Sequence, residues 1–276
     1  MNSSAQTYKE LAIPHFKEVF NIIDEVLTEQ NTPYYLIGAN AIALEFLRKG
    51  EKPPRGTKDI DFAIMISSFK KFEEISTVLI SKGFRTAKAP WTFFYEKENV
   101  AIDILPFGEI EENDTIDFNK RYSDLHVLGF KEVLEKPQSI QIDDKIAQIP
   151  PLPGMVLLKL IAWSDRPEDR ENDLSDILKI IQTYYDLEFD EIVDQHYDLL
   201  DVEDLDELRV AAEVLGRNAK VYLSKSVNLE KRIQKILNNE LEKAVDSKIA
   251  LDWARKLDKD LDYAFSLISA FQKGIS

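Results

Sequence analysis

The chain of 276 residues contains no cysteine, which removes disulfides, thiolate metal sites and a cysteine nucleophile together. Histidine is scarce. His15, His126 and His196 lie far apart and offer no pair at ligand spacing, so a zinc centre is not expected. Only nine glycines and 11 prolines are present, which argues against a linker-rich or disordered chain. Phosphate loops of the Gly-x-Gly-x-x-Gly and Walker kinds are missing, as is a nucleophile elbow. Long apolar runs are missing too. The longest, near Met155–Trp163, is interrupted by Lys159 and is far too short to span a bilayer. The first residues lack the apolar centre of a signal peptide. A soluble cytoplasmic protein with no membrane partner is expected.

What is present is ordinary globular composition, 44% hydrophobic and 31% charged residues, enough to bury a core. The formal charge of −15 disfavours broad, non-specific attraction to nucleic acid. The average hides an asymmetry: Asp186–Glu213 carries twelve acidic residues and one basic residue, whereas Gly216–Lys256 carries ten basic and five acidic ones. The acidic block reads first as a solvated helical face and second as a docking surface for a basic partner.

Helical spacing of Phe16, Val19, Phe20, Ile23, Val26 and Leu27 predicts an amphipathic helix from Pro14 to about Thr28. Tyr34–Ile37 reads as a buried strand ending at Gly38, Asn40–Leu47 as a helix, and Lys52–Lys58 as a basic loop. Strands are expected at Asp59–Ile66, Thr92–Tyr95 and Val100–Leu105, with a helix at Phe69–Lys82. Further strands are expected at Phe130–Glu135, Ser139–Ile142 and Lys145–Ile149. The cluster Pro150, Pro151 and Pro153 marks the best domain boundary. Beyond it all segments read helical, at Val156–Trp163, Glu168–Tyr184, Phe189–His196, Glu207–Leu223, Glu230–Val245 and Ser247–Phe271. The fold class expected is α+β over residues 1–150, followed by an all-helical domain over 151–276.

Three carboxylates stand out. On a strand, Asp59 and Asp61 point to one face, and two such charges on an otherwise apolar strand are costly unless a cation joins them. Mg²⁺ is commonly held by carboxylates together with substrate phosphates. The alternative is a solvated strand end whose aspartates meet Arg55 and Lys58. Asp103, in the apolar run VAIDILPF, completes a three-carboxylate cage if its strand lies beside Asp59–Ile66. Such a cage can hold two metal ions, and Asp103 is the natural acceptor of a proton from an attacking hydroxyl. Its alternative is pairing with a lysine at the strand edge. Gly38, between strand and helix, would let backbone N–H groups approach phosphate oxygens; a plain tight turn explains it too. The aromatic run Trp91, Phe93, Phe94 and Tyr95 reads as strand core before it reads as a platform for a base.

Together, IGANAIALEF, RGTKDIDFAI and AIDILPF resemble the nucleotidyltransferase (DNA polymerase β-like) superfamily. Its signature is a Gly-[Gly/Ser] turn, an Asp-x-Asp pair and a later Asp on a neighbouring strand; the matching positions are Gly38-Ala39, Asp59 with Asp61, and Asp103. The segment Arg55–Asp61 is similar to the small bacterial branch that includes AbiEii toxins and aminoglycoside nucleotidyltransferases. LLKLIAWSDRPEDRENDLSDI resembles the AbiEii-type Lys-x-x-Ala and Asp-x-x-Asp helices at Lys159, Ala162, Asp173 and Asp176. The resemblance spans roughly residues 33–181 and departs at Ala39, where a glycine or serine is usual; Asn40 is the neighbouring polar substitute.

The resemblance implies an enzyme that moves an NMP group from an NTP to an acceptor hydroxyl, with Mg²⁺ held by Asp59, Asp61 and Asp103. It implies a catalytic set of Asp59, Asp61, Asp103 and Asp173, and nucleotide binding by Gly38, Ala39, Lys58 and Lys159. The acceptor would be RNA or tRNA, or a small molecule of the antibiotic kind, and an AbiEii-like toxin would have a cognate antitoxin. A degenerate, non-catalytic nucleotidyltransferase-fold binding module is the reading that Ala39 favours and the three aspartates oppose. For Lys159 a snorkelling surface position is the structural alternative.

Overall fold

The computed structural model describes Leu11 and residues 15–53, 56–57, 59–98, 100–118 and 124–276. The chain forms two compact units, Met1–Pro151 and Leu152–Ser276, and its class is α+β.

The first unit is built on a five-stranded mixed sheet. Helix α1 (Phe16–Glu29) leads into β1 (Tyr34–Ile37), α2 (Gly38–Arg48), β2 (Asp59–Met65), α3 (Phe69–Ser81), β3 (Phe84–Thr86), β4 (Thr92–Tyr95) and β5 (Val100–Phe107). The strand order is β1-β2-β5-β4-β3. Strands β2 and β5 run parallel; β1 with β2, β4 with β5 and β3 with β4 run antiparallel. Side chains alternate across the sheet. Ile60, Phe62, Ile64, Ile102, Ile104 and Phe93 are fully buried on one face. That face meets α1 and α3 through ring pairs such as Phe20–Phe62 and Phe72–Phe93. The opposite face carries Asp59, Asp61, Asp103, Thr92 and Phe94, all exposed or half-buried. Helix α3 starts at Ser68, whose hydroxyl accepts from the Lys71 backbone N–H.

Short pairs complete the unit: β6 (Thr115–Asp117) with β7 (Asp124–His126), then helix α4 (Phe130–Leu134) and the hairpin β8 (Gln138–Ile142) with β9 (Lys145–Ile149). The strand expected at Phe130–Glu135 is therefore corrected to a helix. Gly129, at φ 93°, turns the chain into it, and the buried residues Phe130, Val133 and Leu134 fall at helical, not alternating, spacing.

The second unit is all helical: α5 (Leu152–Asp165), α6 (Glu171–Leu187), α7 (Phe189–Gln195), α8 (Glu207–Leu223), α9 (Val227–Glu242), α10 (Lys248–Leu257) and α11 (Leu261–Ile275). Helices α8 and α11 touch backbone to backbone. A Cβ at Gly216 would fall 2.3 Å from the Phe271 carbonyl oxygen, and one at Gly274 would fall 2.2 Å from that of Glu213, so only glycine fits either position. The single helix expected at Ser247–Phe271 is two. Asp258 takes a left-handed φ of 53° that stops α10, and the Asp260 side chain accepts from the Tyr263 N–H to start α11. Among the described residues, no helix is long and apolar enough to cross a membrane.

Candidate active site

The sheet register decides where the acidic groups lie. Asp61 on β2 pairs directly with Asp103 on β5, and Asp103 in turn pairs with Thr92 on β4. Asp59, two residues before Asp61 on the same face, pairs with Ala101. The Thr92 hydroxyl donates to Asp103 Oδ1 at 2.5 Å, which fixes the orientation of that carboxylate. Asp61 and Asp103 are half-buried and Asp59 is exposed. Like charges at directly opposed strand positions are destabilising, and a hard cation with oxygen ligands relieves that repulsion. The donor set therefore fits Mg²⁺. The three oxygens are not drawn together as tightly as those of His15, Glu18 and Glu98, which lie within 4.8 Å of one another among the described residues. That cluster is already served by Lys97, 2.7 Å from Glu18 and 3.5 Å from Glu98.

Gly38 joins this row from β1, where Ile37 pairs with Asp61. Its φ is +68°, and a Cβ there would sit 2.2 Å from Asp61 Oδ2. Conformation and space both demand glycine, so the turn and the Asp-x-Asp pair form one packed unit. Ala39 follows, half-buried in the first turn of α2. Asn40 is fully buried and donates to the Asp59 carbonyl at 2.7 Å, tying α2 to the start of β2. Its Oδ1 has no hydrogen-bond partner among the described residues. Asn40 is thus a structural tie, not the exposed substitute for a turn hydroxyl. Lys58 and Arg55, expected beside the aspartates, lie outside the described residues.

Lys159 is not a snorkelling surface lysine. It is 7% exposed, and its ammonium lies 2.7 Å from Asp173 Oδ1 and 2.8 Å from Asp176 Oδ2. Burial alone would lower its pKa, but the two carboxylates together outweigh burial and hold it above the ordinary lysine value. Asp173 Oδ2 accepts no hydrogen bond among the described residues and has Arg170 at 3.8 Å. Sequence spacing located all three residues but not their mutual pairing. An open cavity of about 700 Å³ lies at the other end of the parallel strands, lined by Met65, Ser68, Lys70, Lys71, Gly108 and Lys131 among others. It does not include the aspartates.

No known family pattern matches the chain, and no curated protein sequence does. Among solved structures it is similar to an antigenic nucleotidyltransferase-like protein from Paracoccidioides brasiliensis (16% identity, TM-score 0.41, covering 78% of this chain and 90% of that one). It is also similar to ANT(2″)-Ia in complex with adenylyl-2″-tobramycin (12% identity, TM-score 0.41, covering 78% and 97%). A third is the Elizabethkingia meningoseptica CdnE cyclic dinucleotide synthase with GTP and Apcpp (12% identity, TM-score 0.30, covering 95% and 93%). Scores this low decide nothing about function.

Proposed function

We propose that the chain is an NTP-dependent nucleotidyltransferase whose reaction centre is the row Gly38–Asp61–Asp103–Thr92. One observation carries this reading: the direct pairing of Asp61 with Asp103, with Gly38 packed against the Asp61 carboxylate. Asp59, Asp61 and Asp103 would hold divalent metal. When bound, Mg²⁺ there supplies charge neutralisation for the phosphates and for the developing negative charge.

The chain's own groups account for the remaining chemistry. Asp103, oriented by Thr92, takes the proton of the acceptor hydroxyl. The freed oxygen attacks the α-phosphorus, a new P–O bond forms, and the bond to the bridging oxygen of the β-phosphate breaks, so pyrophosphate leaves. Gly38 and the first turn of α2 offer backbone N–H groups to the triphosphate, with Ala39 adding backbone only and Lys58 adding charge. Positioning and electrostatics are what such a transfer asks of a protein. The resemblance gives Asp173 a catalytic role and Lys159 a nucleotide-binding one; within the helical unit their ion pair joins α5 to α6.

The finer reading is an AbiEii-like bacterial toxin, cytoplasmic and paired with an antitoxin. It is supported by the Lys159-x-x-Ala162 and Asp173-x-x-Asp176 pattern. A small-molecule acceptor of the antibiotic kind is the alternative substrate class. A non-catalytic binding module is the reading favoured by Ala39.

Thermal denaturation with each NTP, with and without Mg²⁺, tests the Mg²⁺-dependent nucleotide site, and a preference for an aminoglycoside or for RNA as acceptor separates the two enzyme readings. At an NTP concentration of about 100 times Kd the expected gain is about 2.7 kcal/mol, seen as a rise of several degrees in Tm that requires both NTP and Mg²⁺. No shift with any NTP in the presence of Mg²⁺ would contradict the assignment.

A further inference from the structure

We propose that Arg85 and Phe94 form the acceptor-side subsite, built to take the end of a single-stranded polynucleotide rather than a polycationic sugar; this rests on the reaction centre assigned above. The donor side, as proposed, lies at Gly38, the first residue of α2 directly after β1. Moving away from it across the sheet, the order of strands is β2, β5, β4 and β3, so an acceptor approaching Asp103 lies over β4 and β3.

The register places one row of side chains there. Asp59 pairs with Ala101, Ala101 with Phe94, and Phe94 with Arg85. Residues directly paired across strands share a face, so all four lie on the face that carries Asp61 and Asp103. At about 4.8 Å per strand, Phe94 is about 10 Å from Asp59, the span of a nucleoside. Between them Ala101 leaves a low floor.

The aromatic run at the start of β4 divides by face. Phe93 is fully buried and Tyr95 is 6% exposed, so both serve the core. Phe94 is turned to the open face and is half-buried. The Arg85 guanidinium lies 4.4 Å over that ring, a planar cationic surface presented outward. Among the described residues it also makes an exposed pair with Glu96 at 3.1 Å, worth little in water and readily exchanged. A guanidinium stacked on an aromatic ring receives a nucleobase by stacking and a phosphate by charge. The same charge repels an acceptor carrying several ammonium groups. The formal charge of −15 on the whole chain disfavours a coat for long nucleic acid, so the contact has to be local.

The test uses the intact chain and a fluorescent single-stranded oligoribonucleotide with a free 3′-hydroxyl, at fixed salt, in an anisotropy titration. Arg85→Glu and Phe94→Leu are each expected to weaken binding about tenfold or more. Lys231→Glu, a charge reversal at an exposed lysine of α9, should weaken it less than twofold. In a parallel titration, the Mg²⁺-dependent NTP affinity should be unchanged in both subsite variants. Oligoribonucleotide binding indifferent to Arg85→Glu would overturn the subsite, as would tighter binding of tobramycin than of the oligoribonucleotide by the unaltered chain. Should Phe94→Leu misfold, Arg85→Glu, at an exposed position, decides alone. Loss of NTP binding by the unaltered chain, with oligoribonucleotide binding still dependent on Arg85, would remove the reaction assignment and leave the subsite standing.

Discussion

Gly38 is the residue on which the proposed reaction centre turns. Its left-handed φ of +68° costs any L side chain roughly 1–2 kcal/mol. A methyl group would also contest the space of Asp61 Oδ2, 2.2 Å away. The carboxylate is the movable partner in that clash, so Gly38→Ala is expected to cost only about 1–2 kcal/mol of stability while pushing Asp61 off its position beside Asp103. Urea denaturation and NTP turnover measured on the same preparation check this. The expected result is a folded protein with turnover reduced by roughly a hundredfold; unchanged turnover would mean that Asp61 needs no fixed position. The chain's sequence shows a glycine between strand and helix, but not that this glycine touches the second aspartate of the pair. That contact depends on the pairing of β1 with β2, which sets Ile37 opposite Asp61 and so brings Gly38 against it.

At the scale of elements, the α5–α6 pair is joined by a buried triad, one ammonium against two carboxylates. Lys159→Met would leave two buried carboxylates without their cation, a change that typically costs about 3–5 kcal/mol, measurable as a lower urea midpoint. The sign with pH follows from the lysine. Its folded pKa is raised above the unfolded value, so its contribution is full below about pH 10 and is lost as pH rises through the raised folded value. If Lys159 served phosphates alone, Lys159→Met would weaken NTP affinity and leave the midpoint unchanged.

Elements with strong periodicity were legible in the sequence. The six apolar positions of α1, the strand β4 and the limits of α8 all stand where spacing put them. Short elements were not. Three-residue strands such as β3 and β6 carry too few residues for an alternating pattern, and α4 has only five. The break at Asp258 was masked because Leu257, Leu261 and Phe265 continue one stripe across it. Those three are only half-buried, and the buried column of α11 is Ala264, Leu267, Ile268 and Phe271. The carboxylates of the candidate site could be found from sequence because charges on apolar strands are conspicuous. Arg85 and Phe94 could not, since their shared face with Asp59 is a property of four paired strands.

For the whole molecule, the proposed transferase reading rests on the sheet unit, with three aspartates on its open face. Global charge contributes only selectivity against non-specific binding. The central claim is that this open face transfers a nucleotidyl group, and transfer of label is its most direct measure. Incubation of the full chain with α-³²P-labelled NTPs, Mg²⁺ and total RNA should move label onto an acceptor. Transfer should cease with chelator, and Asp61→Asn should abolish it while leaving the urea midpoint close to that of the unaltered chain. Label transfer that persists undiminished in Asp61→Asn would contradict the account.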